Sequence, residues 1–501
     1  MIEIKFANKV SSALKGAEAV LVLAPTAAFA DGWHKTALGT DWADALDRPI
    51  EDTKAGDNGG VGGTYGPEGA PRRLAVGVLP DNVSRYNSPT RAEAMRNCTA
   101  SAGLAGKKSA VVIRLDDASH YTAAAAAVAR CFPLFDESTG GDDKPKKTPV
   151  TIVAVDAAGN AIKATKVEKA TVEAIRLASR LVDTPPQEMT TAQFEIEAKA
   201  AVKGIAGVKC RSIVGDALLK HNMGGIHGVG RTAPVAPRLT ILHYVPQKQS
   251  AKAKAARKTI ALVGKGVVYD TGGLSLKVGG SMSNMKCDMG GAAAMLGAFV
   301  SLVKGGCDHE VYGLFCLAEN SIGPDSYRPD DILRMHSGKT VEINNTDAEG
   351  RLTLADGVSY AARDLDADVI VDAATLTGAA LFVSGSIVCC AMSNRDGLER
   401  LALESGRATG DLATPILFAP EFLKSEFSSK VADMRNSVKN RMCPQSSAAG
   451  QFIYNHISEL DKPWLHLDIA GPAFRDGRGT GHGAALCAEL VRKISDEALA
   501  Q

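Results

Sequence analysis

Four carboxylates, two lysines and an arginine lie beside glycine-rich turns in the C-terminal part of this 501-residue chain. Lys265 and Asp270 fall in "GKGVVYDTGG", Lys277 closes "LSLK", and Asp288 stands in "MKCDMGGAA". Asp347, Glu349 and Arg351 alternate with small residues in "NNTDAEGRL". Acidic groups that converge repel one another and favour protonation unless cations balance them. Two divalent ions would neutralise Asp270, Asp288, Asp347 and Glu349. Oxygen-rich ligation suits Mn2+ or Mg2+ as well as Zn2+. Two close ions lower the pKa of a shared water and polarise a carbonyl. The i, i+2 spacing of Asp347 and Glu349 lets an extended loop aim both side chains at one place. Arg351 adds an anion clamp beside them. A local reading competes: Asp288 and Asp347 each precede a helical stretch and could interact with its N-terminus. Spacing alone leaves both open.

The elements that must carry these residues read as α/β. Residues 1–166 form an N-terminal module with strands at "IEIKFA", "AVLVLAP", "RLAVGVL", "SAVVIRL" and "VTIVAVDA", and a helix at "HYTAAAAAVARCF". Residues 55–71 and 136–147, rich in glycine, proline and charge, read as surface insertions. Residues 167–190 read as a linker helix with an apolar stripe, stopped by Pro185 and Pro186. Residues 191–501 form a larger α/β domain. Its strands "LTILHYV", "TIALVG", "VYGLFCLAEN", "DVIVDAATLTG", "SIVCCAMS" and "WLHLDIAG" are mostly apolar on both faces, as in a central mixed sheet flanked by helices. Helices are expected at "GGAAAMLGAFVSLVKGG" and "RLTLADGVSYAARDL". In such sheets ligands gather beyond the carboxyl ends of the strands, where the charged residues fall.

Composition narrows the class. Apolar residues make up 45% and charged residues 23%, as in a globular protein. A net charge of +1 gives no electrostatic case for nucleic acid or an anionic membrane as partner. The ten cysteines form no CxxC pair and read as reduced thiols of a cytoplasmic protein. "GAEAVLVLAPTAAFA" imitates a signal peptide, but Glu18 interrupts it and the residues before it alternate like a strand. No apolar run is expected to reach the ~18 residues of a membrane span.

"VGKGVVYDTGGLSLK", "MKCDMGGAAA" and "NNTDAEGRLTLADG", with "ATLTGA" and "HLDIAG", resemble the signature segments of the leucyl aminopeptidase family, peptidase family M17. The likeness covers about two thirds of the chain, from Val167 to Val491. "CLAENSIGPDSYRPDDI" and "EINNTDAEGR" look most like its branch of probable aminopeptidases. The N-terminal third shares only the general α/β character. The resemblance implies two domains, a homohexamer, and removal of N-terminal residues, leucine and other apolar ones preferred, from peptides with a free N-terminus. It implies that Lys265, Asp270, Asp288 and Glu349 hold the tighter metal, and that Asp270, Asp347 and Glu349 hold the more exchangeable one with the backbone carbonyl of Asp347. Lys277 would stabilise the oxyanion, and Arg351 would bind a bicarbonate acting as general base. Met285, Thr375, Gly378 and Ala470 would wall the pocket for the first side chain, with Asn345, Leu376 and Thr377 where the backbone meets substrate. Val278 stands where relatives often carry proline, which alters loop stiffness.

Other motifs point elsewhere. "GGIHGVGRT" nearly spells a phosphate loop, but Arg231 replaces the lysine, and a packed glycine turn is the expectation. His466 and Asp468 could pair on a metal, although a core histidine is the stronger reading. Two other classes stay in play: a two-metal phosphoesterase, and a non-catalytic scaffold that kept the fold.

Overall fold

The computed structural model describes residues 2–67, 71–138, 148–247, 249–440 and 442–500. Two compact units emerge, residues 1–176 with 406–412, and residues 177–405 with 413–501. The helix Lys166–Asp183 covers the first part of the expected linker, residues 167–190, and the division falls within that helix.

The first unit is built on β1 (Ile4–Phe6), β2 (Ala19–Pro25), β3 (Gly60–Thr64), β4 (Arg73–Leu79), β5 (Ser109–Arg114), β6 (Val150–Val155) and β7 (Ala161–Ile162). The sheet runs β1-β6-β5-β2-β4-β3, with β7 on β6. Pairing is parallel except at β3 and β7. The signal-like run is β2, and every one of its residues is buried. Ala19, Leu21 and Leu23 join one apolar cluster while Val20, Val22 and Ala24 join another, so alternate side chains fill cores on opposite faces. One expected insertion is corrected: residues 55–71 contain β3, whose residues Gly60 to Thr64 pair with Val78 to Leu74. Its glycines lower strand propensity, and the neighbouring β4 supplies the ladder that propensity does not. Of the other insertion, residues 139–147 lie outside the described residues.

The second unit holds β8 (Val208–Val214), β9 (Arg238–Tyr244), β10 (Thr259–Asp270), β11 (Glu310–Asn320), β12 (Ile332–Arg334), β13 (Thr340–Glu342), β14 (Val369–Ala374), β15 (Cys389–Ser393), β16 (Ala413–Pro415), β17 (Met434–Arg435) and β18 (Trp464–Asp468). Eight of these form a mixed sheet, β16-β15-β18-β14-β10-β11-β9-β8. β18, β14, β10 and β11 run parallel, and β9 and β15 run antiparallel to their inner neighbours. The helices Gly290–Gly305 and Gly350–Arg363 cover opposite faces of β10. Gly264 and Gly266 approach Ala292 of the first, while Lys265 approaches Gly350 and Val263 approaches Gly357 of the second. The sheet and the second helix together bury Val263, Leu314, Leu354, Val358 and Ile370 in one apolar cluster.

Two further corrections concern apolar and glycine-rich runs. Residues Met285–Gly305 are helical, long and apolar enough by composition to pass for a membrane span, and 89% of the apolar window is buried within the protein. "GGIHGVGRT" is no turn: Gly224–Gly230 is helical. A Cβ on Gly225 would stand 2.3 Å from the Leu352 carbonyl, so the glycine lets one helix lie backbone to backbone on the next. Asp356 accepts the Ile226 N–H at 2.9 Å and fixes that helix start. All ten cysteines are free thiols.

Candidate active site

Asp270 is the last residue of β10, and it pairs in register with Asn320, the last residue of β11. Asp270 Oδ1 accepts hydrogen bonds from Asn320 Nδ2 and from Gly272 N, both at 2.8 Å. Those donors fix the carboxylate where β10 leaves the sheet. Asp288 lies in the 3-10 turn Met285–Met289 that leads into the helix Gly290–Gly305. It does not cap that helix, because its Oδ1 takes Lys265 Nζ at 2.7 Å and the Thr375 hydroxyl at 3.0 Å. Asp347 and Glu349 follow β13, which belongs to a separate three-stranded sheet, β12-β13-β17, rather than to the central one. Glu349 stands at the N-cap of the helix Gly350–Arg363 but makes no capping bond. Its side chain turns to Lys265, 2.9 Å away. The local capping reading therefore fails for Asp288, and Asp347, its other candidate, turns to Lys277 Nζ 2.5 Å away.

The carboxylates converge. One oxygen each of Asp270, Asp347 and Glu349 lies within 4.8 Å of the others. Asp288 joins them through Lys265, whose ammonium touches Asp288, Glu349 and the Thr375 carbonyl. Lys277 Nζ bridges Asp270 Oδ2 at 2.9 Å and Asp347 Oδ1 at 2.5 Å. Four acids thus face two ammonium groups in a buried place. Burial pushes Asp288 well above the usual carboxylate range, opposed by Lys265 and reinforced by Glu349 and Asp270. Burial and then Asp270 raise Glu349, and burial raises Asp347 against the pull of Lys277. Burial would lower Lys265, but Asp288, Glu349 and Asp270 outweigh it and hold the ammonium above the ordinary lysine range. Lys277 shows the same balance, with Asp270 and Asp347 prevailing over burial.

The donor set fits divalent cations. Asp288 Oδ2 and Glu349 Oε2 are buried without a hydrogen-bond partner, which is costly for an oxygen that nothing coordinates. Hard oxygen donors with one nitrogen are what Zn2+ or Mn2+ accept.

Arg351 is buried in the first turn of the helix Gly350–Arg363. Burial lowers its guanidinium to about 10, resisted by Glu349 and Asp468. It donates to the Asn436 carbonyl at 3.2 Å, and its Nε has no partner. Sequence reasoning missed Asn436. Its amide accepts the Asn344 and Asn345 N–H groups at 2.9 and 3.3 Å and donates to the Asn345 and Ala348 carbonyls at 2.6 and 3.3 Å. Asn320 and the buried Tyr327 were missed too; both donate to the Thr346 carbonyl, at 3.0 and 2.6 Å. No spacing rule flags such residues, because what they hold is mostly backbone brought together by the fold.

The other expected residues lie at different depths. Thr375 and Thr377 are buried, Met285, Asn345, Leu376 and Ala470 half-buried, and Gly378 exposed. His466 is a core histidine and no metal partner of Asp468. Its Nδ1 lies 2.6 Å from Asp372 Oδ1, and Asp372 Oδ2 accepts the Trp464 indole N–H at 2.7 Å.

The catalytic-domain model of the cytosol aminopeptidase family matches residues 176–489. This chain belongs to the M17 cytosol aminopeptidase family. The M17 N-terminal domain model also matches residues 68–140, so the first unit shares more with the family than a general α/β character. This M17 chain is 43% identical to the human probable aminopeptidase NPEPL1 over 431 residues, 85% of this chain and 80% of that one. The solved leucine aminopeptidase LAP1 of Caenorhabditis elegans superposes with a TM-score of 0.86 at 35% identity, covering 100% of both chains. Leucyl aminopeptidase of Leishmania major, solved with actinonin, gives 0.89 at 33% identity over 98% of this chain and 95% of that one. The M17 chain is a metal-dependent aminopeptidase. Neither a phosphoesterase nor a scaffold finds support among these relatives.

Proposed function

We propose that this aminopeptidase removes leucine and other apolar residues from peptide N-termini at a centre of two divalent ions. The convergence of Asp270, Asp347 and Glu349 beside the Lys265–Asp288 pair carries this reading. Lys265, Asp270, Asp288 and Glu349 would hold the tighter ion, and Asp270, Asp347 and Glu349 with the Asp347 carbonyl the exchangeable one. Zn2+ or Mn2+ fits best, and Mg2+ is the third candidate. Bound there, the ions would supply a water of lowered pKa and polarisation of the scissile carbonyl.

The residues of the chain do the rest. Lys265 and Lys277 balance the carboxylates in the structure described here. Cations arriving on those carboxylates would take over that balance, and Lys265 would then serve as a neutral amine, since two dications reverse the field around it. Lys277, released from Asp270 and Asp347, would keep its proton and face the oxyanion of the tetrahedral intermediate. The acidic centre would draw the free α-amine of a peptide and so fix the register at the first bond. Arg351, with its partnerless Nε, would hold a bicarbonate that takes the proton of the attacking water. Met285, Thr375, Gly378 and Ala470 would enclose the first side chain. Asn345, Leu376 and Thr377 would meet the peptide backbone.

We assign the protein to the cytoplasm as a homohexamer. Free thiols support the compartment. The helix Ala379–Ser384 exposes Leu381, Val383 and Phe382, the last 95% exposed, and association between copies would cover such a face. Light scattering would test it, and a monomer would contradict it.

Leucyl-amide hydrolysis with Mn2+ or Zn2+ tests the activity. It should vanish with a chelator and with an N-acetylated substrate. Hydrolysis of the blocked amide would overturn the assigned register.

A further inference from the structure

We infer that Asp468 is a positioning residue that sets the width of the first-side-chain pocket. The inference rests on the assignment of residues 375–378 and Ala470 to that pocket.

Asp468 ends β18 beside Ala374, the last residue of β14, with which it pairs in register. Two wall segments therefore leave the sheet at the same level, on adjacent strands. The Asp468 carboxylate is fully buried between them. Its Oδ1 accepts the backbone N–H groups of Leu376 at 3.1 Å, Thr377 at 3.4 Å and Ala470 at 3.2 Å. Its Oδ2 accepts the Thr377 hydroxyl at 2.7 Å. Thr377 Oγ1 also lies 2.7 Å from Ser446 Oγ, on the helix Gln445–Tyr454. One carboxylate thus binds both walls to each other, and through Thr377 to a helix behind them.

The partners say what kind of role this is. Oriented N–H dipoles and a hydroxyl satisfy the carboxylate, and no lysine or arginine hydrogen-bonds to it among the described residues. Through Oδ1 it acts on backbone of both walls, and through Oδ2 on the Thr377 hydroxyl, so it fixes their spacing. Asp270, Asp288, Asp347 and Glu349 each pair with a lysine, whereas Asp468 pairs with none among the described residues. Pocket width is what separates a leucyl from an alanyl substrate, because the difference is a few methylenes in contact with the walls.

The test is the ratio of kcat/KM for leucyl-amide to that for alanyl-amide, with Mn2+ bound per chain measured alongside. Asp468→Ala should lower the ratio about tenfold, within the range that one or a few methylenes supply, and leave metal content unchanged. Asp468→Asn keeps an oxygen for the three N–H groups and should stay within about threefold of the native ratio, a rescue that general destabilisation would not give. If Asp468→Ala does not fold, Thr377→Val cuts the link to Oδ2 and Ser446 and should lower the ratio about threefold. A native ratio in whichever of these two variants folds overturns the inference. Met285→Ala separates the underlying assignment: if that change also leaves the ratio native, the pocket itself lies elsewhere.

Discussion

Gly350 and Lys265 meet backbone to side chain. A Cβ on Gly350 would stand 2.5 Å from Lys265 Cε and 2.6 Å from its Nζ. The first helical residue after Glu349 must therefore be glycine if the lysine is to run straight from β10 to Asp288 and Glu349. Gly350→Ala should displace Lys265, with kcat/KM for leucyl-amide falling about a hundredfold, as when a reacting group is misplaced by an ångström. Native kinetics would show that the lysine has room to move aside.

Lys277 is distinguishable from Lys265 by what its loss leaves behind. Lys277→Ala should keep both ions and lose turnover by about a hundredfold, as for removal of one oxyanion donor. Metal analysis beside steady-state kinetics checks this. Loss of metal would make Lys277 a ligand.

Asn436 grips the loop that carries Asp347 and leads through Glu349 into the helix of Arg351, with four side-chain hydrogen bonds. Asn436→Ala should weaken Mn2+ binding at least tenfold, the usual cost of losing support behind a ligand. Isothermal titration measures it. Unchanged affinity would mean that the loop holds its own shape.

His456 makes the fold acid-sensitive. Burial, with Lys339 and Arg363 nearby, lowers its pKa from 6.5 to about 3, and its Nε2 has no partner. The folded state therefore needs the neutral ring. Its stabilising contribution is complete above pH 6.5 and is lost as pH falls towards 3. His456→Gln should shrink the stability lost between pH 7 and pH 4.5 by about 3 kcal/mol, from the value of each pKa unit between 6.5 and 4.5. Urea unfolding at the two pH values checks it. An undiminished loss would place the acid sensitivity elsewhere.

Much of this was legible in the chain, and the exceptions share a cause. Asp270, Asp288, Asp347 and Glu349 stand out because apolar runs mark strands and glycines mark the turns after them. The layered sheet follows from strands apolar on both faces. β3 was not legible, because glycines hide a strand that its neighbour's ladder secures. The helix Gly224–Gly230 was not legible either, because glycine there serves helix contact rather than a turn. Asn436, Asn320 and Asp468 hold backbone groups brought together only by the fold, so no periodicity announces them. Asp347 and Glu349 also follow a strand of a small separate sheet, whereas Lys265 and Asp270 lie on β10 of the central one.

The proposed metal centre depends most on Glu349, which touches Lys265 and shares the carboxylate cluster with Asp270 and Asp347. Equilibrium dialysis of Mn2+ against the native protein and Glu349→Ala tests it most directly. Two ions per native chain, and loss of both tight binding and leucyl-amide hydrolysis in the variant, are the predicted result. A variant that still binds two ions with native affinity would contradict the proposed centre.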